Sequence, residues 1–239
     1  MYFGLKITLK YEKYLRFVHT SNYMRKIVLV AIMAISSFHA AAQYGDRDSN
    51  RIGINVGLNQ FTLNTSDLET TPGTGWNAGL SMRGNFYNDW DMVYGIQFSE
   101  NNFKVGSVNS FAQAEDINFK LSSAQISLLL SYKFIANHLS VEFGPMLQVN
   151  GKLAVNEADE DNIINTHDDT AMVTAKELTE VTNFNFYPTV GITAGIKRLR
   201  LNVTYQYGVN NLLSSVDSGS GAKFSGHAGI LSGNIIFYL

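Results

Sequence analysis

The sequence predicts an all-β fold: an eight-stranded antiparallel up-and-down transmembrane β-barrel, preceded by a signal peptide. Three observations lead to this prediction. Apolar and polar residues alternate in eight segments, long and short connections alternate between those segments, and the polar positions carry few charges. Because successive side chains of a strand point to opposite faces, such alternation indicates strands with one apolar face.

The alternation is clearest in residues 124–149, which we interpret as a hairpin with its turn at residues 135–138. Each arm has about 10 residues, roughly the length that a tilted strand needs to cross a bilayer. One parity carries the apolar residues Ala124, Ile126, Leu128, Leu130 and Tyr132 in the first arm, and Leu139, Val141, Phe143, Leu147 and Val149 in the second.

The opposite parity holds mostly Gly, Ser, Asn, Gln and Thr. Such residues suit a narrow polar barrel interior, with the apolar residues turned toward lipid. A soluble lipocalin-type barrel would reverse this arrangement. A β-sandwich is the alternative fold, since sandwiches also contain many short alternating strands, but a sandwich does not require long and short connections in alternation.

Six further strands are predicted at residues 51–60, 75–86, 91–99, 184–196, 201–209 and 227–239. Short turns are expected at residues 88–89, 135–138 and 197–200, and long loops at residues 61–74, 101–118, 150–183 and 210–226. Bacterial outer-membrane barrels have an even number of strands, short periplasmic turns and longer external loops. The four long loops are therefore expected on the outside.

The first 42 residues are predicted to be absent from the mature chain. Residues 24–42 have the three parts of a signal peptide: a basic start at Arg25 and Lys26, a short apolar run at residues 27–35, and three alanines before Gln43. Residues 1–23 are interpreted as an upstream mis-start, with translation beginning at Met24. Residues 43–239 then form the outer-membrane β-barrel domain, a length that fits one domain.

Charge and cysteine content exclude several classes of protein. The formal net charge is −2, and residues 1–42 contain six basic residues and one acidic residue, so the mature chain carries −7. An acidic chain argues against nucleic acid as a partner. The sequence has no cysteine, which excludes a lipoprotein anchor and any disulfide.

Aromatic residues cluster near both ends of the predicted strands, as expected for rings that favour the headgroup zone. On the periplasmic side the girdle is represented by Trp90, Tyr132 and Phe237. Near the external loops the predicted girdle consists of Phe61, Trp76, Phe103, Phe119, Phe184 and Phe186.

Several strand segments resemble the PorT family of outer-membrane β-barrel proteins of Bacteroidetes. The resembling segments are IGINVGLN from Ile52, ISLLLSYKF from Ile126, LSVEFGP from Leu139, VGITAGI from Val190, LNVTYQYGVN from Leu201 and GNIIFYL from Gly233. The resemblance implies a small barrel, in a family whose namesake is tied to secretion and gliding machinery. It also implies recognition of the last strand by the barrel-assembly machinery. Phe237 and Leu239 are the expected assembly signal, with leucine standing where a terminal phenylalanine is preferred.

An eight-stranded barrel is just wide enough to be filled by its own side chains, so a general porin is not predicted. Arg83 and Glu142 both lie on inward parity, about four residues from the periplasmic end of their strands. We expect them to form an ion pair in the lumen, joined by Gln97, Gln125 or Gln206, because either charge alone would cost several kcal/mol in a dry interior. The pair is interpreted as a structural plug; a selectivity or gating element is the alternative.

Two other groups of residues could carry chemistry. The acidic segment between Glu157 and Asp169 could collect Ca²⁺, but its spacing matches no EF-hand, and we expect a solvated, mobile loop. Lipid-modifying barrels place Ser, His and an acid on the external side, where this chain has His167 beside Asp168 and Asp169, and His227 near Ser225. The expectation is no catalytic residue, no cofactor and no metal.

The sequence thus predicts a non-enzymatic protein of the cell outer membrane, exported by a cleaved signal peptide, with a side-chain-filled lumen and external loops for surface or envelope interactions. Its expected partners are outer-membrane lipids, the barrel-assembly machinery and a surface or secretion-complex protein. A lipid-modifying enzyme and an accessory subunit of a secretion or gliding complex are the alternatives.

Overall fold

Nine strands run through the part of the chain that the computed structural model describes: residues 50–239 except 110, 112, 137, 168–172 and 217–220. The predicted mis-start and signal peptide lie outside these residues. The strands are β1 (Arg51–Asn64), β2 (Thr70–Tyr87), β3 (Trp90–Val108), β4 (Ala114–Ile135), β5 (Leu139–Ala154), β6 (Ile163–Ile164), β7 (Phe184–Gly195), β8 (Leu199–Tyr207) and β9 (His227–Tyr238). Two short 3-10 helices, Glu157–Asp159 and Glu177–Thr179, lie between β5 and β7. Among the described residues, no helix has the length and apolarity needed to cross a bilayer.

The eight long strands form a closed ring. Each pairs antiparallel with its neighbours in the chain, with β5 next to β7, and β1 pairs with β9 from Gly53↔Tyr238 to Asn64↔His227. The predicted eight-stranded up-and-down barrel is therefore confirmed. Closure satisfies the backbone groups that an open sheet would leave unpaired at its edges.

The alternating exposure of side chains excludes the β-sandwich. Ile54 is 50% exposed and its neighbour Asn55 only 7%, and the same alternation continues along the other strands. The aliphatic rows face outward and the amide and hydroxyl rows face the lumen. We call the outward aliphatic and aromatic rows the apolar band.

The connections define two ends of the barrel. Residues 88–89, 136–138 and 196–198 make the short connections of what we call the turn end, and Asn88 adopts the positive φ of 48° that a tight turn uses. Residues 65–69, 109–113, 155–183 and 208–226 make the connections of the loop end.

The prediction of loops at residues 61–74 and 101–118 was wrong over most of their length. β1 continues to Asn64, β2 begins at Thr70, and β3 and β4 stay paired from Trp90↔Tyr132 to Val108↔Ala114. These segments were predicted as loops because they contain many polar residues such as Thr, Asn and Asp. In the structure they are strands that leave the apolar band and continue beyond it.

The side-chain pattern inverts where the strands leave the apolar band. On β4 the outward residues change from Ala124 and the apolar residues below it to Ser122, Lys120 and Asn118, while the inward residues change to Leu121 and Phe119. β3 changes at the same height, since Phe98 pairs with Ala124 and the next outward residue, Glu100, pairs with Ser122. Beyond this level the sheet is polar outside and apolar inside, as in a soluble protein.

The inward apolar residues at the loop end form one continuous core. It contains residues of seven strands and of the connections at the loop end, and we call this part of the molecule the head. The core consists of Phe61, Leu63, Leu68, Phe103, Val105, Ile117, Phe119, Leu121, Met146, Leu153, Ile164, Val173, Ala175, Leu178, Val181, Tyr187, Leu212, Leu213, Val216, Phe224, Ala228 and Ile230.

Three of the aromatics predicted for the external girdle belong to this core. Phe61, Phe103 and Phe119 are fully buried. The ring centroid of Phe103 lies 5.3 Å from that of Phe61 and 5.8 Å from that of Phe119. They share the inward parity of the lumen residues below them, so the lipid-facing prediction was wrong for these three. Trp76, Phe184 and Phe186 do face outward.

The acidic segment, predicted as a loop throughout, contains regular structure where it is described. Asn156 caps the first 3-10 helix, β6 pairs with the end of β3 through Ser107↔Ile164, and Leu178 is buried in the core of the head. Its charged residues lie on the surface of this fold, while its few aliphatic residues anchor it.

Candidate functional site

The charged residues of the lumen meet near the turn end. β2 carries Arg83 and β5 carries Glu142, both on inward parity, and their side chains are almost completely buried. The Arg83 Nη2 donates directly to Glu142 Oε1, so the structure brings the two predicted residues together. A charge-assisted hydrogen bond of this kind is stronger than one between neutral groups.

Arg83 has further partners that the sequence did not identify. Its Nη1 donates to Asp91 Oδ2 at 3.2 Å and to Ser131 Oγ at 2.7 Å, and its Nε lies 3.4 Å from the Tyr238 hydroxyl. Lys133 Nζ lies 3.0 Å from the other oxygen of Asp91. We call Arg83, Asp91, Lys133 and Glu142 the turn-end cluster.

Asp91 could have been found from its parity. It is the first residue of the predicted third strand and shares its face with Gly95, Gln97 and Ser99. What the sequence did not provide was the depth of each strand relative to its neighbours. That depth follows from the register, in which Asp91 pairs with Asn85 of β2 and Ser131 of β4.

The three glutamines expected to join the ion pair form a separate layer instead. Gln97 donates to Gln125, and Gln125 donates to both Gln148 and Gln206. Asn202 takes the place expected for a glutamine, because its Nδ2 lies 3.1 Å from Glu142 Oε2. The expectation was wrong about these side chains because all four glutamines lie closer to the middle of their strands than the turn-end cluster.

A layer of short amide and hydroxyl side chains lies next to the glutamines, on the side toward the loop end. Asn59 Nδ2 donates to Asn101 Oδ1 at 3.0 Å, Asn77 Nδ2 donates to Asn59 Oδ1 at 2.6 Å, and the Ser99 and Ser123 hydroxyls are 2.8 Å apart. The apolar core of the head begins on the loop-end side of this layer. An ion entering from the turn end would therefore have to leave a polar lumen and cross hydrocarbon, which is costly.

The residues predicted for the periplasmic aromatic girdle lie on the outside near the turn end. The rings of Trp90 and Tyr132 are 4.9 Å apart, and Trp90 also meets Phe143 edge-on at 6.0 Å. Phe237 faces outward on β9, paired with Ile54 and Leu199 on its two sides. Their place at a membrane interface remains a prediction.

The candidate catalytic residues at the loop end make contacts of a structural kind. His227 Nδ1 lies 3.0 Å from the Gly208 carbonyl oxygen, and its ring stacks on Tyr207. The backbone N–H of Ser225 donates to the Asp67 carboxylate, and the backbone N–H of His167 donates to the Asp67 carbonyl oxygen. Asp168 and Asp169 lie outside the described residues.

The acidic surface of the head holds ion pairs. Lys176 Nζ lies 2.8 Å from Glu160 Oε2, and this hydrogen bond raises the pKa of Lys176 above its usual value. Lys176 is therefore charged at neutral pH, and its contribution to the pair is lost as the pH rises through that raised pKa. Within the described part of the chain, no three acidic or histidine side chains are arranged to hold a metal ion.

Solved structures with a similar architecture are outer-membrane and surface proteins. Neisserial surface protein A is 13% identical, covers 78% of this chain and 96% of its own, and gives a TM-score of 0.46. Ail, the attachment invasion locus protein of Yersinia pestis, is 12% identical, with 80% and 99% covered and a TM-score of 0.41. OprG of Pseudomonas aeruginosa is 8% identical, with 81% and 97% covered and a TM-score of 0.44.

The family comparison covers most of the chain. No curated protein matches the sequence significantly. Residues 41–214 match the outer membrane protein beta-barrel domain family, a span that includes every strand except β9. Together with the closed ring of eight antiparallel strands, this match shows that the chain belongs to the outer membrane protein beta-barrel domain family and is a protein of the cell outer membrane.

Proposed function

We propose that the protein is a non-enzymatic, non-conducting barrel that anchors a folded head on the outer face of the outer membrane, where the head makes surface or envelope contacts. The observation that carries this proposal is the apolar core of the head, which lies across the lumen above the polar layers. A pore needs a continuous path of water, which this apolar core interrupts. A protein surface that recognises a partner needs a folded support, which the same core provides.

Hydrogen bonding in the lumen supports a closed barrel. The turn-end cluster and the glutamine layer connect β2, β3, β4, β5 and β8 through side-chain bonds. Buried polar groups that satisfy one another in this way stabilise one arrangement of the strands. Opening a path would break several of these bonds at once.

The surface of the head supports a role in contact with other molecules. The β3–β4 hairpin continues for ten residues beyond Phe98↔Ala124, its last pair in the apolar band, and reaches Val108↔Ala114. At its tip Phe111 is 85% exposed. A large aromatic side chain at the end of a rigid hairpin is a typical contact residue for a protein or glycan surface.

Conductance tests the closed lumen. The mature chain is reconstituted into planar bilayers, and insertion is checked by heat-modifiable migration on gels of the same preparation. We expect no steady conductance, because the apolar core and the amide layers fill the lumen. A steady large conductance would contradict a closed barrel and would favour a selectivity or gating role for Arg83 and Glu142.

A complementation experiment tests the surface role. A deletion strain receives the wild-type chain, the Phe111→Ser variant or the Phe134→Ser variant, which changes an equally apolar exposed residue at the turn end. Adhesion to surfaces is expected to fall with Phe111→Ser and to persist with Phe134→Ser. Adhesion that is unaffected by Phe111→Ser and by the deletion itself would contradict the role.

The same strains separate the alternatives. A PorT-like accessory subunit predicts that deletion stops secretion or gliding and that the chain co-purifies with that machinery from native membranes. A lipid-modifying enzyme predicts a changed lipid A mass profile in the deletion strain and in a His227→Ala variant. The contact between His227 and the Gly208 carbonyl supports a structural role for this histidine.

A further inference from the structure

One buried cation of the lumen, Arg200, has a donor atom without a partner among the described residues. Arg200 is the first inward residue of β8 and is the largest fully buried side chain of the described chain, with 2% of its surface exposed. Its Nε has no hydrogen-bond partner among the described residues. A buried N–H donor that lacks an acceptor costs free energy, and a buried guanidinium also needs its charge balanced.

The neighbouring acids are already neutralised. Glu142 is held by Arg83 and Asn202, and Asp91 is held by Arg83 and Lys133. The like charges of Arg83 and Arg51 also act on Arg200, together with the opposite charge of Glu142, which Arg83 already shares. Counted over the described residues of the cluster, the two carboxylates thus face Arg83, Lys133 and Arg200, an excess of one positive charge.

A second buried donor at the same end also lacks a partner. The Ser140 hydroxyl is fully buried on β5, one inward residue nearer the turn end than Glu142, and makes no hydrogen bond within the described chain. Guanidinium and hydroxyl groups both donate hydrogen bonds to anions, and charge-assisted bonds of this kind are the stronger ones. Neutral water could satisfy the hydrogen bonds of Arg200 but would not balance its charge.

We propose that the lumen binds a small inorganic anion, chloride or phosphate, at Arg200 beside the turn-end cluster. The anion enters from the turn end, which in the outer membrane faces the periplasm, and it completes the charge balance of the cluster. The site is structural in its effect: binding to the folded barrel alone stabilises the fold in proportion to anion concentration.

Anion-dependent unfolding tests the site. The mature chain in lipid nanodiscs is unfolded in urea at constant ionic strength while gluconate, a much larger anion, is replaced stepwise by chloride or by phosphate. The unfolding midpoint of the wild type is expected to rise to saturation with at least one of the two anions. Separate titrations show which anion is bound, because general screening would act equally at equal ionic strength.

A matched pair of variants locates the effect. Arg200→Gln keeps hydrogen-bonding capacity without the charge and is expected to weaken the apparent affinity roughly tenfold or more. Arg198→Gln changes an exposed arginine in the adjacent turn and is expected to behave as the wild type. Wild-type midpoints that are identical in gluconate, chloride and phosphate would overturn the proposal, as would an unchanged anion response in Arg200→Gln.

A crystallographic measurement does not depend on the folding of a variant. Wild-type crystals grown in bromide are expected to show an anomalous peak in hydrogen-bond contact with the Arg200 guanidinium. Absence of that peak would show that no anion occupies the site. That result would also overturn the proposal.

Discussion

At the scale of single residues, the interior of the barrel is held by hydrogen bonds where a soluble protein would use hydrocarbon. Arg83 illustrates the principle, since its guanidinium contacts Asp91, Ser131, Glu142 and Tyr238 at once. A buried charge is tolerated when opposite charges and donors compensate for lost hydration. Parity alone predicted that Arg83 and Glu142 point inward, but only the register between strands identified Asp91 as the second acid.

Replacing Glu142 by Gln is expected to destabilise the barrel by about 3 kcal/mol, because it leaves Arg83 with one carboxylate in a buried site. The measurement is urea unfolding of the mature chain in lipid vesicles. Glu180→Gln is the matched control, since Glu180 pairs with Lys152 on the exposed surface of the head. Exposed pairs contribute about 0–1 kcal/mol. Equal losses for the two variants would contradict a structural ion pair in the lumen.

At the scale of elements, the strands are longer than a bilayer requires. β4 has 22 residues, about twice the length that a tilted strand needs to cross. Its outer part exchanges the two faces, with Phe119 and Leu121 inward and Asn118 and Lys120 outward. The sequence predicted a loop in this part because the outward residues are polar, and the pattern expected for a strand was apolar residues on the outward face. The period of two continues without interruption; only the solvent outside has changed.

Replacing Phe103 by Ala is expected to loosen the head and leave the barrel below it intact. Phe103 is fully buried between Phe61 and Phe119, and a cavity in such a core costs about 3–5 kcal/mol. Amide hydrogen exchange should therefore accelerate in the loop-end parts of β1, β3 and β4. Phe98→Ala, on the outward face of the same strand, leaves no internal cavity because lipid fills the space. If both variants accelerate the same amides, the head has no core of its own.

At the scale of the whole molecule, the fold is completed by its last strand. β9 pairs with β8 on one side and with β1 on the other, so the ring cannot close until residues near the carboxyl end are in place. Long-range pairing of this kind is slow to form. A cell therefore benefits from machinery that recognises this strand, and Phe237 with Leu239 is the predicted signal.

Replacing Phe237 by Ala is expected to slow assembly more than it weakens the finished barrel. The readout is the fraction of chain that reaches the compact, heat-modifiable form in outer-membrane fractions over time. Phe134→Ala is the control, because Phe134 is likewise outward and exposed near the turn end but lies on β4. Equal assembly rates for the two variants would argue that Phe237 is an ordinary lipid-facing residue.

The mature protein is expected to begin at Gln43. The cleavage site after three alanines predicts this start. Intact mass spectrometry of the protein from outer-membrane fractions measures it directly. A mass that includes the basic segment around Arg25 and Lys26 would show that the leader is retained.

The sequence by itself determined the strand period, the direction of the side chains in the apolar band and the number of barrel strands, because these follow from local geometry that repeats every two residues. It also determined that Arg83 and Glu142 point inward. Only the tertiary structure decided which layer each polar residue joins, as with the glutamines that bond to one another. Only it decided that Phe61, Phe103 and Phe119 close the lumen. Depth along the barrel depends on how far each strand is shifted against its neighbours, and that shift is a property of the closed ring.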